Sequence, residues 1–232
     1  MKVLDLYKNR EKYIETQIER SRQKFGYCKV SMNDVLNYVI RIKKYNKLKM
    51  MGSLQTPLIC LGTRNGREVD LFRLGIHHPL IAGLIAKTEF VRKGFHSVCD
   101  PLLFLGRSDA EAIDDNSVIG VEINSMAKRE DIWIGSFDEM PKSWEEKFGV
   151  IYSNSFDHSQ DPHKTAKEWI RIAKNNALLI FAFSDLAPTV SDPVGNIELA
   201  DVLNLFPGEL LYFSKAGSFC NYNEVIILLK KQ

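Results

Sequence analysis

A short apolar run followed by a glycine turn is the first pattern in this chain that could do chemistry. Residues 58–61 read Leu-Ile-Cys-Leu, residues 62–66 read Gly-Thr-Arg-Asn-Gly, and the segment 67–73 has Val69 and Phe72 at helical spacing. A strand, a glycine turn and a helix bring backbone N–H groups and a helix N-terminus up to a ligand. This order predicts a ligand cradle that begins at Gly62.

Ionisable side chains follow two later apolar runs. Glu122 ends the run 117–122, and Asp157 and His158 come just after the run 148–153. One carboxylate can accept both hydrogen bonds of a diol, and Asp157 or His158 could accept a proton from a bound substrate. Structural roles are the alternatives: Glu122 as a surface carboxylate at a strand end, and the pair as a helix cap or a loop-ordering contact.

Alternating strands and helices would position these residues. The further predicted strands cover 131–135, 148–153 and 177–183, and a helix with Ala166, Trp169, Ile170 and Ile172 on one side precedes the last of them. A helix at 197–206 and strands at 209–215 and 224–230 complete the chain. The pattern predicts an α/β fold: a doubly wound, Rossmann-like, mostly parallel sheet with a C-terminal antiparallel hairpin.

The first 54 residues are predicted to be a basic, helical N-terminal extension, followed by an α/β domain over 55–232. Residues 1–50 hold 13 Lys and Arg against 5 Asp and Glu, a balance of +8. The whole chain has 31 and 29, so the remainder holds 18 against 24, a balance of −6. Such an arm could guide RNA or another anionic partner.

The plainer interpretation of the extension is a lysine-rich helical face in water with one apolar stripe on the body. Without an Arg-Gly repeat or interleaved aromatic and basic residues, nucleic acid is the less favoured partner. The stripe residues are Tyr13, Ile14, Ile18, Val35, Leu36, Val39, Ile40 and Ile42.

Other classes of protein are disfavoured by what the sequence lacks. The cysteines at 28, 60, 99 and 220 form no C-x-x-C pair, so we expect them to be buried, reduced and structural. No metal site is expected, because the adjacent His77 and His78 point apart on most backbones. No apolar stretch approaches the ~20 residues of a membrane span, and no signal-peptide core is present, so we expect a cytoplasmic protein without a membrane partner.

The order of elements from Pro57 to Lys230 resembles that of the class I S-adenosylmethionine-dependent methyltransferases. "LICLGTRNGREV" resembles their first motif, "VIGVEIN" their second strand, and "IWIGSFDEMP" the segment that flanks the adenine. "FGVIYSNSFDHSQDPHKTAKEWIRIAKNNALLIFAF" is similar to a family stretch that carries His, Asp-Pro and a strand after a turn. The resemblance covers about three quarters of the chain.

This resemblance implies S-adenosyl-L-methionine as the cofactor and methyl transfer as the reaction. Glu122 would hold both ribose hydroxyls, and His158 or Asp157 lies where a base for a hydroxyl acceptor could sit. The other cofactor-binding residues implied are Gly62, Thr63, Arg64 and Gly66 in the turn, Ser136, Phe137 and Asp138 near the adenine, and Asn154 and Ser155, which contact cofactor or substrate.

The chain also departs from the family pattern. Cys60 stands where the family usually has an acidic residue, Arg64 where it has a second glycine, and Ser136 where it often has Asp. Gly66 and Glu122 are 56 positions apart, so ~30–40 residues, about 75–116, are inserted. Their apolar runs suit a lid, a substrate wall or a contact between two copies in a homodimer.

Several functions are compatible with these residues. We favour methyl transfer to a small-molecule or glycan-related acceptor. The alternatives are an RNA or protein methyltransferase that docks through the basic arm, and a non-catalytic binding protein that keeps the fold. A nicotinamide dehydrogenase is a weaker rival, because G-x-x-x-G lacks the G-x-G-x-x-G spacing of the dinucleotide fingerprint.

Overall fold

The computed structural model describes residues 1–4, 9–25, 28, 30–45, 47–50, 53–87, 109–215 and 222–231. Residues 88–108 of the predicted insertion, with Cys99, and also Cys220 lie outside this part. The described helices are α1 (Arg10–Gln23), α2 (Met32–Lys44), α3 (Arg67–His77), α4 (Pro79–Lys87), α5 (Pro162–Ile172) and α6 (Leu199–Leu205). The described strands are β1 (Lys2–Val3), β2 (Leu48–Met50), β3 (Ser53–Leu54), β4 (Leu58–Leu61), β5 (Val118–Glu122), β6 (Ile132–Ile134), β7 (Phe148–Ser153), β8 (Ala173–Phe183), β9 (Val194–Gly195), β10 (Gly208–Ser214) and β11 (Asn223–Leu229).

A seven-stranded sheet in the order β10-β11-β8-β7-β4-β5-β6 forms the centre of the fold. The five strands from β8 to β6 are parallel, whereas β11 is antiparallel to both β8 and β10. The predicted doubly wound, mostly parallel sheet and its terminal antiparallel hairpin are therefore confirmed. The carboxyl ends of β4, β5, β6 and β7 meet at one edge, which positions the site.

Both faces of the sheet are buried at its centre, where β4, β5 and β7 are apolar over most of their length and buried at every residue. Along β4, Leu58 and Cys60 face α2, α3 and α4, whereas Ile59 and Leu61 face α5 and α6. This period of two is what a strand covered on both faces requires. Cys60 is buried, as expected, whereas Cys28 is only half-buried; both are free thiols in the structure.

Helix α3 is longer than the predicted segment 67–73. It runs to His77, and α4 begins two residues later at Pro79. No described helix is by itself long and apolar enough to cross a membrane, and α3 and α4 meet that test only as a pair bent by 118°. The described chain forms a single-turn 3-10 segment, Ser125–Ala127, before β6 and another, Lys142–Trp144, after it.

The two N-terminal helices lie against the α/β body. Helix α2 buries Val35, Tyr38 and Ile42 against α3 and the sheet. Ile40, which the predicted stripe placed on the body, is 66% exposed, because the buried positions follow the spacing 35, 38 and 42. Strand β1 pairs with β9, so the chain before α1 also lies on the body.

A buried cluster of charged side chains joins α3 to the loop before β6. Arg73 on α3 contacts both Asp70 and Asp131, and Arg129 binds the same two carboxylates at 2.6 and 2.8 Å. Arg73 and both aspartates are at most 3% exposed. Burial alone would raise the pKa of Asp131, but the two guanidinium groups lower it overall. Two positive charges thus balance two negative ones inside the protein.

We predict that Arg73→Met lowers the free energy of unfolding by about 3–5 kcal/mol, because it leaves buried carboxylate charge uncompensated. Urea denaturation followed by circular dichroism measures this. Arg22→Met is the matched control: its pair with Glu19 is exposed, so we expect a change of about 0.5 kcal/mol or less. Equal effects for the two variants would show that the buried cluster contributes no special stability.

Candidate functional site

The glycine turn after β4 closes against the end of β7. Gly62 has φ +78°, and a Cβ atom there would lie 2.6 Å from both Cβ and Oγ of Ser155. The Gly62 N–H donates to the carbonyl of Val121 at 2.9 Å, which fixes the turn against β5. Gly66, also at φ +78°, caps the N-terminus of α3. Only glycine fits at Gly62, because the conformation and the close approach both exclude a side chain.

Arg64 occupies the position where the resemblance expects a second glycine. It adopts φ +52°, a left-handed conformation that is uncommon for a residue with a side chain. Its backbone N–H donates to Oε2 of Glu122 at 2.6 Å. Arg64 therefore adopts the conformation that a glycine would have in the turn, and its backbone N–H points at the Glu122 carboxylate.

Glu122 lies at the end of β5 and is 3% exposed, so its interpretation as a surface carboxylate is wrong. Its Oε1 accepts hydrogen bonds from Oγ of Ser21 at 2.8 Å and from the N–H of Asn124 at 3.1 Å. Burial raises the pKa of Glu122, while these bonds and the Arg64 N–H lower it in part. The group is a desolvated acceptor with donors on both oxygens.

The segment after β6 contributes one wall of the site. Ser136 and Phe137 line a cavity beside Glu122, and the Phe137 ring packs edge-on against Trp169 at 5.8 Å. Asp138 is buried and does not line this cavity. It accepts hydrogen bonds from Ser136 and from Arg10 of α1. Phe137 therefore offers an apolar ring to the cavity, and Asp138 supports the wall from behind.

The end of β7 brings Asn154 and Ser155 to the same edge. Ser155 Oγ donates to the carbonyl of Gly62 at 3.2 Å and lies beside the Asn154 amide. Thr63 is buried at the base of the turn, where it packs against Gly120. Thr63 and Gly66 therefore shape the turn, whereas Asn154 and Ser155 line the cavities.

Asp157 and His158 form a single 3-10 turn with Phe156 beyond β7. His158 Nδ1 lies 2.9 Å from Asp192 Oδ1, and its Nε2 lies 3.8 Å from Asp157 Oδ1. Burial would raise the pKa of Asp192, but His158 and the nearby Arg20 lower it overall, so Asp192 remains ionised at neutral pH. The pair could act as a base, and it also orders the loop that carries Asp192.

The ligand atoms of Asp157, His158 and Asp192 lie within 4.8 Å of one another. Such spacing could suit a metal ion. The guanidinium of Arg20, however, lies 2.5 Å from Asp192 and already supplies a positive charge there. We therefore interpret the group as an ion-paired network.

Helix α1 forms a wall of the site that the sequence analysis missed. Tyr13, Gln17 and Ser21 are buried at a spacing of four residues, and Tyr13 donates to the carbonyl of His158. With Glu122, Phe137 and their neighbours they line a partly open cavity of about 480 Å³, a volume that includes its mouth. No local sequence pattern marked this wall, because polar residues such as Gln17 and Ser21 on a helix are usually assigned to solvent.

A second cavity of about 840 Å³ adjoins the first. Arg20, Gly62, Arg64 and His158 line both cavities. The second is also lined by Glu68 of α3, which lies within the motif "LICLGTRNGREV" but was given no role there. The remaining lining residues are Lys24, Asn154, Asp157 and Tyr222.

We predict that Gly62→Ala destabilises the protein by about 2 kcal/mol or more, from the left-handed conformation and the contact with Ser155. Adding Ser155→Gly should recover the steric part, so the two changes should be non-additive when each variant is unfolded in urea. Gly83→Ala is the control, because Gly83 lies in α4 with open space around its Cβ position; it should stabilise by about 0.5–1 kcal/mol. Additive effects at 62 and 155 would contradict the close contact.

Comparisons with known proteins rest on structure alone. No protein-family model matches this chain, and no curated protein is similar to it in sequence. Solved structures do match it over nearly its whole length, at very low sequence identity.

A Burkholderia thailandensis 1,6-didemethyltoxoflavin-N1-methyltransferase, solved with 1,6-didemethyltoxoflavin and S-adenosylhomocysteine, matches with a TM-score of 0.60 and 8% identity over 99% of this chain and 94% of that one. A chain of the complex between the Haloferax volcanii Trm112 methyltransferase activator and a methyltransferase matches at 0.52 and 11%, over 94% and 98%. The CurJ carbon methyltransferase matches at 0.52 and 8%, over 87% and 54%. This chain therefore has the Rossmann-like fold of the class I S-adenosylmethionine-dependent methyltransferases.

Proposed function

We propose that this protein is an S-adenosylmethionine-dependent methyltransferase that acts on a small-molecule or glycan-related acceptor. The observation that carries the proposal is the buried Glu122 carboxylate beside the Gly62–Gly66 turn at the carboxyl edge of a class I sheet. A desolvated carboxylate suits a ribose diol, and a turn without a Cβ at Gly62 lets a ligand reach the backbone.

The residues present fit the cofactor. Glu122 would bind the ribose hydroxyls, Phe137 would lie against the adenine, and Gly62 would approach the amino-acid part. When bound, the cofactor supplies a methyl group on a positively charged sulfur. Ser21 Oγ donates a hydrogen bond to the Glu122 oxygen that one ribose hydroxyl would also use. Cofactor binding would therefore lengthen or replace this hydrogen bond and move α1 slightly.

The limited size of the first cavity, about 480 Å³ including its open mouth, supports a small acceptor. Helix α1 borders it, and two of the four basic residues of that helix are engaged with the body: Arg20 pairs with Asp192, and Arg10 with Glu139 at 2.9 Å. These two contacts reduce the positive charge that the arm can offer to RNA. The similar 1,6-didemethyltoxoflavin-N1-methyltransferase, which was solved with the small molecule 1,6-didemethyltoxoflavin bound, is consistent with this choice.

His158 is the proposed base. Its Nδ1 faces the ionised carboxylate of Asp192 at 2.9 Å, which favours the tautomer with a proton on Nδ1 and leaves Nε2 as the acceptor. Asp157, 3.8 Å from Nε2, stabilises the positive charge that forms when His158 takes a proton. Aligning the acceptor with the methyl group is the larger task, and the walls of the cavity perform it.

Calorimetry with S-adenosylhomocysteine tests cofactor binding. We expect binding in the micromolar range, and we expect Glu122→Ala to weaken it by about 10-fold or more, since it removes charge-assisted hydrogen bonds. Glu130→Ala, an exposed residue near the sheet edge, is the control and should bind as the unchanged protein does. No binding at millimolar ligand would overturn the proposed function.

Transfer of a labelled methyl group tests the acceptor class and the base. With cofactor labelled on the methyl group, we expect the label in small polar metabolites and not in RNA or protein. His158→Gln should reduce the transfer rate by about 100-fold while leaving S-adenosylhomocysteine affinity within about threefold, because a base acts on the acceptor. Label in RNA, with an affinity that falls steeply with salt, would favour the docking-arm alternative. An equal rate for His158→Gln would exclude it as the base.

A further inference from the structure

A buried carboxyl group with an unpartnered oxygen faces the second cavity. Glu68, the second residue of α3, is 5% exposed, and its Oε2 is buried without a hydrogen-bond partner among the described residues. It lines the cavity together with Gly62, Arg64 and Asn154. A buried carboxylate oxygen without a donor is costly, so such a group is expected to meet its donor when a ligand is bound.

The surroundings of Glu68 change the pKa of its carboxyl group. Burial raises its pKa from the ordinary value to about 7, and Arg64, Asn154 and Cys28 oppose that rise only in part. The carboxyl group therefore changes its charge state nearer to neutral pH than an exposed glutamate does. A cationic group in the cavity would complete its ionisation, since an opposite charge nearby favours the charged form.

The position of Glu68 relative to Glu122 sets the kind of ligand that reaches both. Gly62 and Arg64 line both cavities, with Glu122 beside the first and Glu68 beside the second. A ligand that spans the glycine turn thus has one end near each carboxyl group. S-adenosylmethionine has a ribose diol at its middle and an α-ammonium group at the end of its amino-acid part.

We propose that Glu68 binds the α-ammonium group of the cofactor, with Asn154 beside it; this inference rests on the proposed function. Cys60, at the position where an acidic residue was expected, is fully buried in the apolar cluster between β4 and α3. Glu68 enters the site from the other side of the turn, from the first turn of α3. Glu68 thus supplies the carboxylate that the family pattern places on β4, where this chain has Cys60.

The other ionisable groups near Glu68 do not replace it. The thiols of Cys28 and Cys60 and the phenol of Tyr152 have pKa values raised well above their usual range by burial, so they stay neutral at pH 7. The charged groups on the cavity wall are Arg20 from α1, Lys24 just after α1, Arg64 from the turn, and Asp157 and His158 from beyond β7. Of the two carboxyl groups on the wall, only Glu68 lies at the turn, since Asp157 lies beside His158.

Two ligands and two variants test the proposal by calorimetry. The ligands are S-adenosylhomocysteine and its analogue in which hydrogen replaces the α-amino group. We expect Glu68→Gln to weaken binding of the first by about 10-fold or more and to leave binding of the second within about twofold. Glu209→Gln, an exposed residue on β10, is the matched control.

The pH dependence gives a second readout that a purely structural role would not change. Glu68 has a pKa of about 7 without ligand, and an ammonium partner lowers it, so binding releases a proton below pH 7. Affinity for S-adenosylhomocysteine should therefore rise with pH from 5.5 and level off above about 7, where the ligand ammonium is still charged. Glu68→Gln should remove that rise.

The outcomes separate the two proposals. If the unchanged protein binds neither ligand, the proposed function fails, and the role of Glu68 fails with it. If the protein binds S-adenosylhomocysteine but Glu68→Gln binds it equally well with the same pH profile, the proposed function stands and the role of Glu68 is overturned. Equal losses for both ligands would also overturn it, because the effect would not depend on the amino group.

Discussion

The two oxygens of Glu122 accept hydrogen bonds from three separate segments of the chain. Arg64 of the glycine turn donates to one oxygen, and Ser21 of α1 and the Asn124 N–H share the other. Because an unpaired buried carboxylate is costly, each segment is held where its donor reaches this group. The shape of the cradle therefore depends on how these donors share one carboxylate. Any ligand that binds there enters this arrangement as a further donor.

The same constraint explains how the turn tolerates its unusual residue. Arg64 adopts a left-handed backbone that costs roughly 1–2 kcal/mol for a residue with a Cβ atom. That conformation points its N–H at Glu122, and a charge-assisted hydrogen bond offsets a cost of this size. Gly62 has no such freedom, because Ser155 fills the space where its side chain would lie. The two positions differ in what surrounds them, which the spacing of glycines alone does not express.

The strands and the carboxyl edge could be predicted because they follow from local patterns. A buried parallel strand needs an uninterrupted apolar run. A residue that ends such a run, such as Glu122, therefore lies where the carboxyl ends of the strands meet. The role of α1 could not be predicted in this way. Gln17 and Ser21 are buried only because α1 lies across the site, a tertiary contact without a local signature. The place of Glu68 in the site could not be predicted for the same reason. An acidic residue in the first turn of a helix is expected for its favourable interaction with the helix dipole, and here that turn also faces a cavity.

Helix α1 borders the cavity and is attached at both of its ends by charged pairs. Arg10 near its start contacts Glu139, and Arg20 near its end contacts Asp192. Opening either attachment would free one end of the helix and widen the cavity that the helix borders. Partly exposed ion pairs weaken as ionic strength rises, because dissolved ions screen them within about 10 Å at 0.1 M salt. The width of the cavity is thus linked to the salt concentration around the protein through contacts made at the two ends of the helix.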